Sequence, residues 1–282
     1  MIKWNITSKH RPDLTTERFY YEWSVIHVAL MLTNPSTVRT FRRYVQHFAY
    51  VDVPEAARLL PQHPEKWESF AEHWIDGLDA IPPSVRSADY RGRMHPHTFS
   101  DSKMELHLLK GETVWQREGF ASGGVKLIHA LKSQPGQTLD AFEADWCGRH
   151  MPLLVETLKP RGLRKAVANT QLRLDSAMFK GTLFEKGGVD QYAGVEELWF
   201  DDLDAALAAG TDPAVRETLA ASYARSVDVA TSHSMVVVER VAFDFVTPGE
   251  CTPLPAVLTP GTAEARAAAE DWTVFLPALE KR

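Results

Sequence analysis

The stretch TTERFYYEWSVIHVAL at residues 15–30 returns at residues 138–153 as TLDAFEADWCGRHMPL, with Thr15/Thr138, Phe19/Phe142, Trp23/Trp146, His27/His150 and Leu30/Leu153 identical at a constant offset of 123. The chain of 282 residues holds only 8 tryptophans and 11 histidines, so Trp-x-x-x-His recurring behind a Phe marks a duplication. Upstream, Lys3/Lys126 and Lys9/Lys132 keep the same offset. Downstream, Arg42 and Val45 match Arg164 and Val167 at 122, and Glu72-His-Trp74 matches Glu197-Leu-Trp199 at 125. A period this long exceeds the ~20–50 residues of a solenoid unit and is that of a whole repeated domain.

Within each copy Phe19, Trp23, His27 and Leu30, or Phe142, Trp146, His150 and Leu153, fall on one face of a 3.6-residue period. Thr15 and Thr138 stand where a cap is needed, each with an acid two residues on, Glu17 or Asp140. Strands are expected before the helix at 2–7 and 125–131, and after it at about 39–48 and 162–172. Third strands follow at about 68–75 and 193–200, second helices at about 83–97 and 202–226, and last strands at about 103–109 and 233–242. The order is βαββαβ, a ferredoxin-like α+β arrangement with both helices on one sheet face. The other face stays bare unless two halves pack sheet to sheet, which a tandem fusion achieves within one chain.

The expected organisation is a first domain over 1–110, a Gly-rich linker over 111–124, a second domain over 125–242 and an extension over 243–282. The extension is Pro-rich and then Ala-rich, with Trp272, Phe275 and Leu276 as anchors. Net charge is −6 and no dense Lys/Arg patch occurs, which argues against nucleic acid and anionic membranes and for a hydrophobic small-molecule partner. No signal peptide or membrane span is evident, so a cytoplasmic location is expected, as a single pseudo-dimer or a homodimer of it. Cys147 and Cys251 are the only cysteines and read as free thiols.

The run Lys-x5-Thr-x3-Phe-x3-Trp-x3-His, then Arg-x-x-Val, then Glu-x-Trp, resembles the EthD-like branch of the dimeric α+β barrel superfamily, present twice. The resemblance covers about 240 residues and omits the extension. His150-Met-Pro152 fits the family's His-x-Pro turn, whereas His27-Val-Ala29 lacks the proline, and Tyr44 faces Ala166 in the second copy. The resemblance implies an intramolecular barrel with a ligand cavity between sheet and helices in each half. It also implies chemistry ranging over cofactor-free cyclases and oxygenases, decarboxylases, isomerases and some haem enzymes. Fold alone does not choose among these.

His27 and His150 are the first catalytic candidates, because imidazole titrates near neutrality; the competing reading is a core histidine satisfied by one hydrogen bond. Glu72 and Glu197 alternate with apolar residues, and a right-handed crossover would set each beneath the histidine of its half as an acid–base partner; a structural salt bridge or an exposed strand edge is the alternative. Tyr44, His47 and Asn169 on the second strands offer hydrogen bonds to a substrate, although strand alternation prevents Tyr44 and His47 from sharing one cavity. Trp23, Trp146, Trp74 and Trp199 are core aromatics or cavity walls. His63, His73, His95, His97 and His107 complete no recognisable metal set and are expected to face solvent. No nucleotide-cofactor motif occurs. The long connections at about 50–67 and 173–192 are candidate lids over the two cavities.

The function expected is a cofactor-independent enzyme, acting on a hydrophobic cyclic or aromatic small molecule by His-mediated proton transfer. Dehydration, cyclisation, decarboxylation and isomerisation all fall within that class. The alternatives are a cofactor-free or haem-dependent oxygenase and a non-catalytic binding protein.

Overall fold

The computed structural model describes residues 1–95, 97–120, 123–189 and 191–246, so the extension from 247 onward and Cys251 lie outside the described residues. Each half begins with a strand, β1 (Ile2–Ser8) or β5 (Val125–Leu131), and a capped helix. Thr15 accepts the backbone N–H of Arg18 at 3.2 Å and opens α1 (Thr16–Tyr21); Thr138 accepts that of Ala141 at 3.2 Å and opens α6 (Leu139–Asp145). Both helices then widen into a π-helical stretch, Glu22–His27 and Trp146–His150, before resuming as α2 (Val28–Leu32) and α7 (Met151–Leu158). The wide turn re-aims the histidine at its end, a device common at functional sites. The Phe and Trp of the repeated stripe are buried in both halves.

The remaining first-half elements are α3 (Pro35–Thr40), β2 (Phe41–Ala49), β3 (Ser69–Ile75), α4 (Ile81–Arg86), α5 (Ala88–Arg93) and β4 (Glu105–Gln116). The second half adds β6 (Leu163–Gln171), β7 (Gly194–Phe200), α8 (Leu203–Thr211), α9 (Pro213–Ser226) and β8 (His233–Asp244). The second helix expected near 83–97 is two short ones, because the Ser87 side chain caps a fresh start by accepting from Tyr90 N. Among the described residues no helix is long and apolar enough to cross a membrane.

The eight strands close into one barrel in the order β1-β3-β2-β8-β5-β7-β6-β4. Two four-stranded halves therefore join edge to edge, β2 to β8 and β4 to β6, and closure leaves no strand edge unpaired. The stretch expected to be linker begins as strand: β4 runs through Gly111 to Gln116 and pairs with β6 as far as Lys165. Residues there look linker-like because they are exposed, yet their backbone groups complete the barrel.

Both sheet faces are buried. Apolar residues fill the layer between each sheet and its helices, and a third cluster with Phe70, Leu109, Ile128, Val195, Met235 and Val237 fills part of the barrel interior. The rest of the interior is charged. Glu197 accepts from Lys3 Nζ at 2.6 Å and from Lys126 Nζ at 2.7 Å, while Lys3 also lies 3.2 Å from Glu72 and Lys126 lies 2.7 Å from Glu239. Burial opposes the charge on Lys126, but Glu197 and Glu239 outweigh it and push its pKa upward.

The two long connections cross over to the opposite half. Leu60 from the first joins the second core, and Arg216 on α9 donates to the carbonyls of Ala56 and Arg58 at 3.0 and 2.9 Å. A Cβ on Gly210 would lie 1.9 Å from the Ala57 carbonyl, so only glycine admits this approach. Reciprocally, Phe179, Phe184 and Val189 from the second connection pack into the first core, and Arg86 donates to Met178 and Lys180 carbonyls.

Removing one member of the interior ion network strands the others. Lys126→Met should cost about 3–5 kcal/mol in urea unfolding, because Glu239 loses its cation and Glu197 one of two. Lys103→Met, which breaks an exposed pair with Glu65, should leave the urea midpoint nearly unchanged.

Candidate active site

A cavity of about 830 Å³ lies between the first sheet and its helices. Its walls are largely aromatic and apolar, including Trp4, Trp23, Phe41, Met94 and Phe99, and Thr182, Leu183 and Phe184 of the crossing connection cover it. Residues 173–192, one of the two candidate lids, thus roof the cavity of the first half. The polar side chains that also line it include His27, His73, His97, Tyr44, Tyr90 and Asp101.

His27 stands at the end of the first π-helical stretch. Among the described residues its Nδ1 is buried without a partner, and its ring meets Phe99 edge-on at 5.0 Å and Tyr44 at 6.4 Å between centroids. Burial first, then the nearby His97 and His73, pushes its pKa well below the usual imidazole range. His73 projects from β3 to the same side, between Trp4 and Tyr44 in register. Its ring stacks on Tyr44 at 4.7 Å, and Nδ1 donates to the Trp4 carbonyl at 3.0 Å. A carbonyl only accepts, so Nδ1 carries the proton and Nε2 is left with a free lone pair. Burial lowers the His73 pKa to about 4, against the opposing pull of the Trp4 carbonyl.

Tyr44 accepts from Trp23 Nε1 at 2.7 Å and from Gln46 Nε2 at 3.4 Å, so its own proton remains to be donated. Gln46 is held in turn by Arg240, which donates to Gln46 Oε1 and to the Ser24 carbonyl. Burial pushes the Tyr44 pKa upward, and the phenol stays a proton donor.

The second half has the same helix-borne histidine but different surroundings. Where Ala71 pairs with Ile6 in the first half, Glu196 pairs with His129 in the second. The Glu196 carboxylate accepts from Trp146 Nε1 at 2.7 Å, Tyr223 Oη at 2.7 Å and His129 Nδ1 at 2.9 Å, and lies 3.1 Å from His150 Nε2. His150 Nδ1 bonds Ser222 Oγ at 2.8 Å, and the ring is only 1% exposed. Burial would raise the Glu196 pKa, but His150 and His129 hold it well below the carboxylate range. Polar side chains fill the space that is open in the first half.

The other candidates fall on the opposite sheet face. Neither Glu72 nor Glu197 lies beneath a helix histidine; both project into the barrel and bond lysines, because odd and even strand positions face opposite layers. His47 joins them there, donating from Nδ1 to the Phe70 carbonyl and accepting Lys126 at 2.7 Å. Asn169 donates to Glu197 at 2.9 Å, also inside the barrel. Trp74 donates to Glu72 at 2.5 Å, and Trp199 carries Lys126 over its ring at 4.0 Å. Trp23 borders the cavity and Trp146 anchors Glu196. Sequence reasoning took His73 and His107 for solvent-facing side chains, whereas both are buried. For His73 the available signal was its place one residue after Glu72, which puts it on the helix side if Glu72 faces inward.

The EthD domain model matches residues 11–103 and 134–229. The chain belongs to the EthD family. No curated protein matches the sequence. The solved structures similar to this EthD chain include an anthrone oxidase-like protein, at 10% identity and TM-score 0.51 over 88% of this chain and 95% of that one. Another is a candidate monooxygenase from Fusobacterium nucleatum, at 9% identity and TM-score 0.47 over 86% and 92%. At such identities the likeness is one of fold, a dimeric α+β barrel.

The folded pKa of His73 is depressed below its unfolded value, so the unfolded chain binds the extra proton and stability falls as pH drops from about 6.5 toward about 4. His73→Asn keeps a donor for the Trp4 carbonyl and removes the titration. The loss of unfolding free energy between those pH values should shrink by about 3 kcal/mol, measured by urea denaturation across the range.

Proposed function

We propose that this EthD protein is an enzyme that modifies a hydrophobic cyclic or aromatic small molecule in the first-half cavity, by proton transfer to a neutral imidazole and without a cofactor. The observation that carries this reading is the placing of His73, whose Nε2 lone pair is free, and His27 in a cavity lined mainly by aromatic and apolar side chains. Such walls suit a flat apolar ring, and a few polar groups fix its orientation. An acidic C–H or phenolic O–H loses its proton to His73 Nε2 or to His27. The electron pair left behind spreads into the ring or a conjugated carbonyl, whose oxygen accepts the Tyr44 proton as a hydrogen bond. Burial disfavours an imidazolium in the empty site, but a substrate anion beside it compensates that charge. The imidazolium then returns the proton to a different carbon, an isomerisation, or to a departing hydroxyl, a dehydration.

A second reading shares the first step. A deprotonated electron-rich ring can instead react with dioxygen, and the structurally similar protein named anthrone oxidase-like gives that outcome a concrete form. Oxygen consumption with the substrate separates the two, and a haem absorption band in the purified protein would overturn the cofactor-free proposal. Ligand recovered unchanged after long incubation would indicate binding alone.

Small molecules that co-purify with the chain, identified by mass spectrometry, supply the substrate for the decisive assay. His27→Ala and His73→Asn should each lower kcat/KM by about 10²-fold or more, and Tyr44→Phe by about tenfold. His150→Asn should lower stability while kcat/KM stays within about threefold, since His150 lies outside the cavity. Unchanged turnover in both cavity-histidine variants would refute the assignment.

A further inference from the structure

Two His/carboxylate clusters lie inside the barrel, and they differ in what balances their charge. In the first, His47, Glu72 and Glu197 approach one another closely, but Lys3 and Lys126 already supply the cations. In the second, His63, Glu105 and His233 meet at one mouth of the barrel, with ligand atoms all within 4.8 Å of one another. Among the described residues no lysine or arginine nitrogen pairs with Glu105, although that residue is only 6% exposed. A buried carboxylate without a full counter-charge is costly.

We infer that His63, Glu105 and His233 form a binding site for one divalent transition-metal ion of the zinc or cobalt type. His63 Nε2 is 3.4 Å and His233 Nε2 is 3.8 Å from the Glu105 carboxylate, separations that a single ion bonded to all three can bridge at ~2.0–2.2 Å per bond. The surrounding groups preset the ligands. Tyr192 has one proton and donates it to Glu105 at 2.7 Å, so its oxygen accepts from His233 Nδ1 at 3.2 Å. His233 is thereby held with Nδ1 protonated and the Nε2 lone pair turned to the carboxylate, the form a metal-binding histidine takes. Trp67 donates to the other Glu105 oxygen at 3.1 Å and stacks on the His63 ring at 5.1 Å. His63 gives up one contact on binding metal, because its Nδ1 now accepts the Glu65 backbone N–H at 3.1 Å. Its side chain is 20% exposed, so water can replace that bond. Two histidines and one carboxylate leave coordination positions for water or a small exogenous ligand. Distance in sequence conceals the set: Glu105 and His233 open β4 and β8, and His63 arrives on the connection between β2 and β3.

The full-length chain, stripped with chelator and dialysed, is equilibrated with Co²⁺ and separately with Zn²⁺, and bound metal is measured by elemental analysis. About one equivalent should bind, the Co²⁺ form should show visible ligand-field absorption, and Zn²⁺ should raise the Tm. His63→Ala and His233→Asn should each weaken binding at least about tenfold and abolish the Tm rise, whereas His10→Ala should leave both unchanged. If His233→Asn fails to fold, the part-exposed His63→Ala carries the test. Binding of less than about a tenth of an equivalent by the unaltered chain, or equal affinity in folded His63→Ala, overturns the inference.

Discussion

Lys3 and Lys126 are the same residue in two copies of one domain, and both close on Glu197 in the middle of the barrel. Every other feature of the molecule depends on that buried exchange of charge. Each half presents a sheet face carrying lysine and glutamate, which alone would face water. In the fused chain the two faces enclose each other, and Lys3 reaches Glu197, and Lys126 reaches His47, across the halves. Such networks add little net stability compared with an apolar core, but a shifted register would leave an uncompensated ion in the interior. The charges therefore hold the halves in one alignment while strand pairing at β2–β8 and β4–β6 closes the wall.

With the frame fixed by both copies, the outer layers are free to diverge. In the second half Glu196 replaces the small Ala71 and gathers His129, Trp146, Tyr223 and His150 around one carboxylate. That carboxylate and its partners form a polar cluster set within an apolar core, with most of its bonds made. In the first half Ala71, Ile6 and Tyr44 leave the corresponding space open, and His27 and His73 face it. The crossing connection from the second half supplies the roof, so that half also contributes to the cavity wall. A duplicated chain can thus keep one binding site while the other copy contributes structure.

The repeat, the βαββαβ order and the stripe of Phe, Trp and His were legible because they rest on local periodicity and on rare residue types. What failed was the assignment of strand faces. Alternation tells that Glu72 and His73 point to opposite sides, yet in this barrel both sides are buried, so neighbouring apolar residues do not reveal which one meets the helices. The crossover argument therefore sets Glu72 beside His27, where His73 stands. The crossing of residues 50–67 and 173–192 to the opposite half was equally hidden, since it depends on how two copies associate and not on either copy alone. The first residues of β4 past Lys110 read as linker because they are exposed and include Gly111, although backbone pairing with β6 needs no apolar side chains.

The central claim is that one half holds the working cavity and the other is filled. Histidine-ring NMR of the full chain titrated with 2-naphthol, a flat apolar phenol, tests it most directly. One equivalent should bind and move the His27 and His73 resonances while those of His150 and His129 stay in place. Movement at His150 and His129, or saturation only at two equivalents, would contradict it.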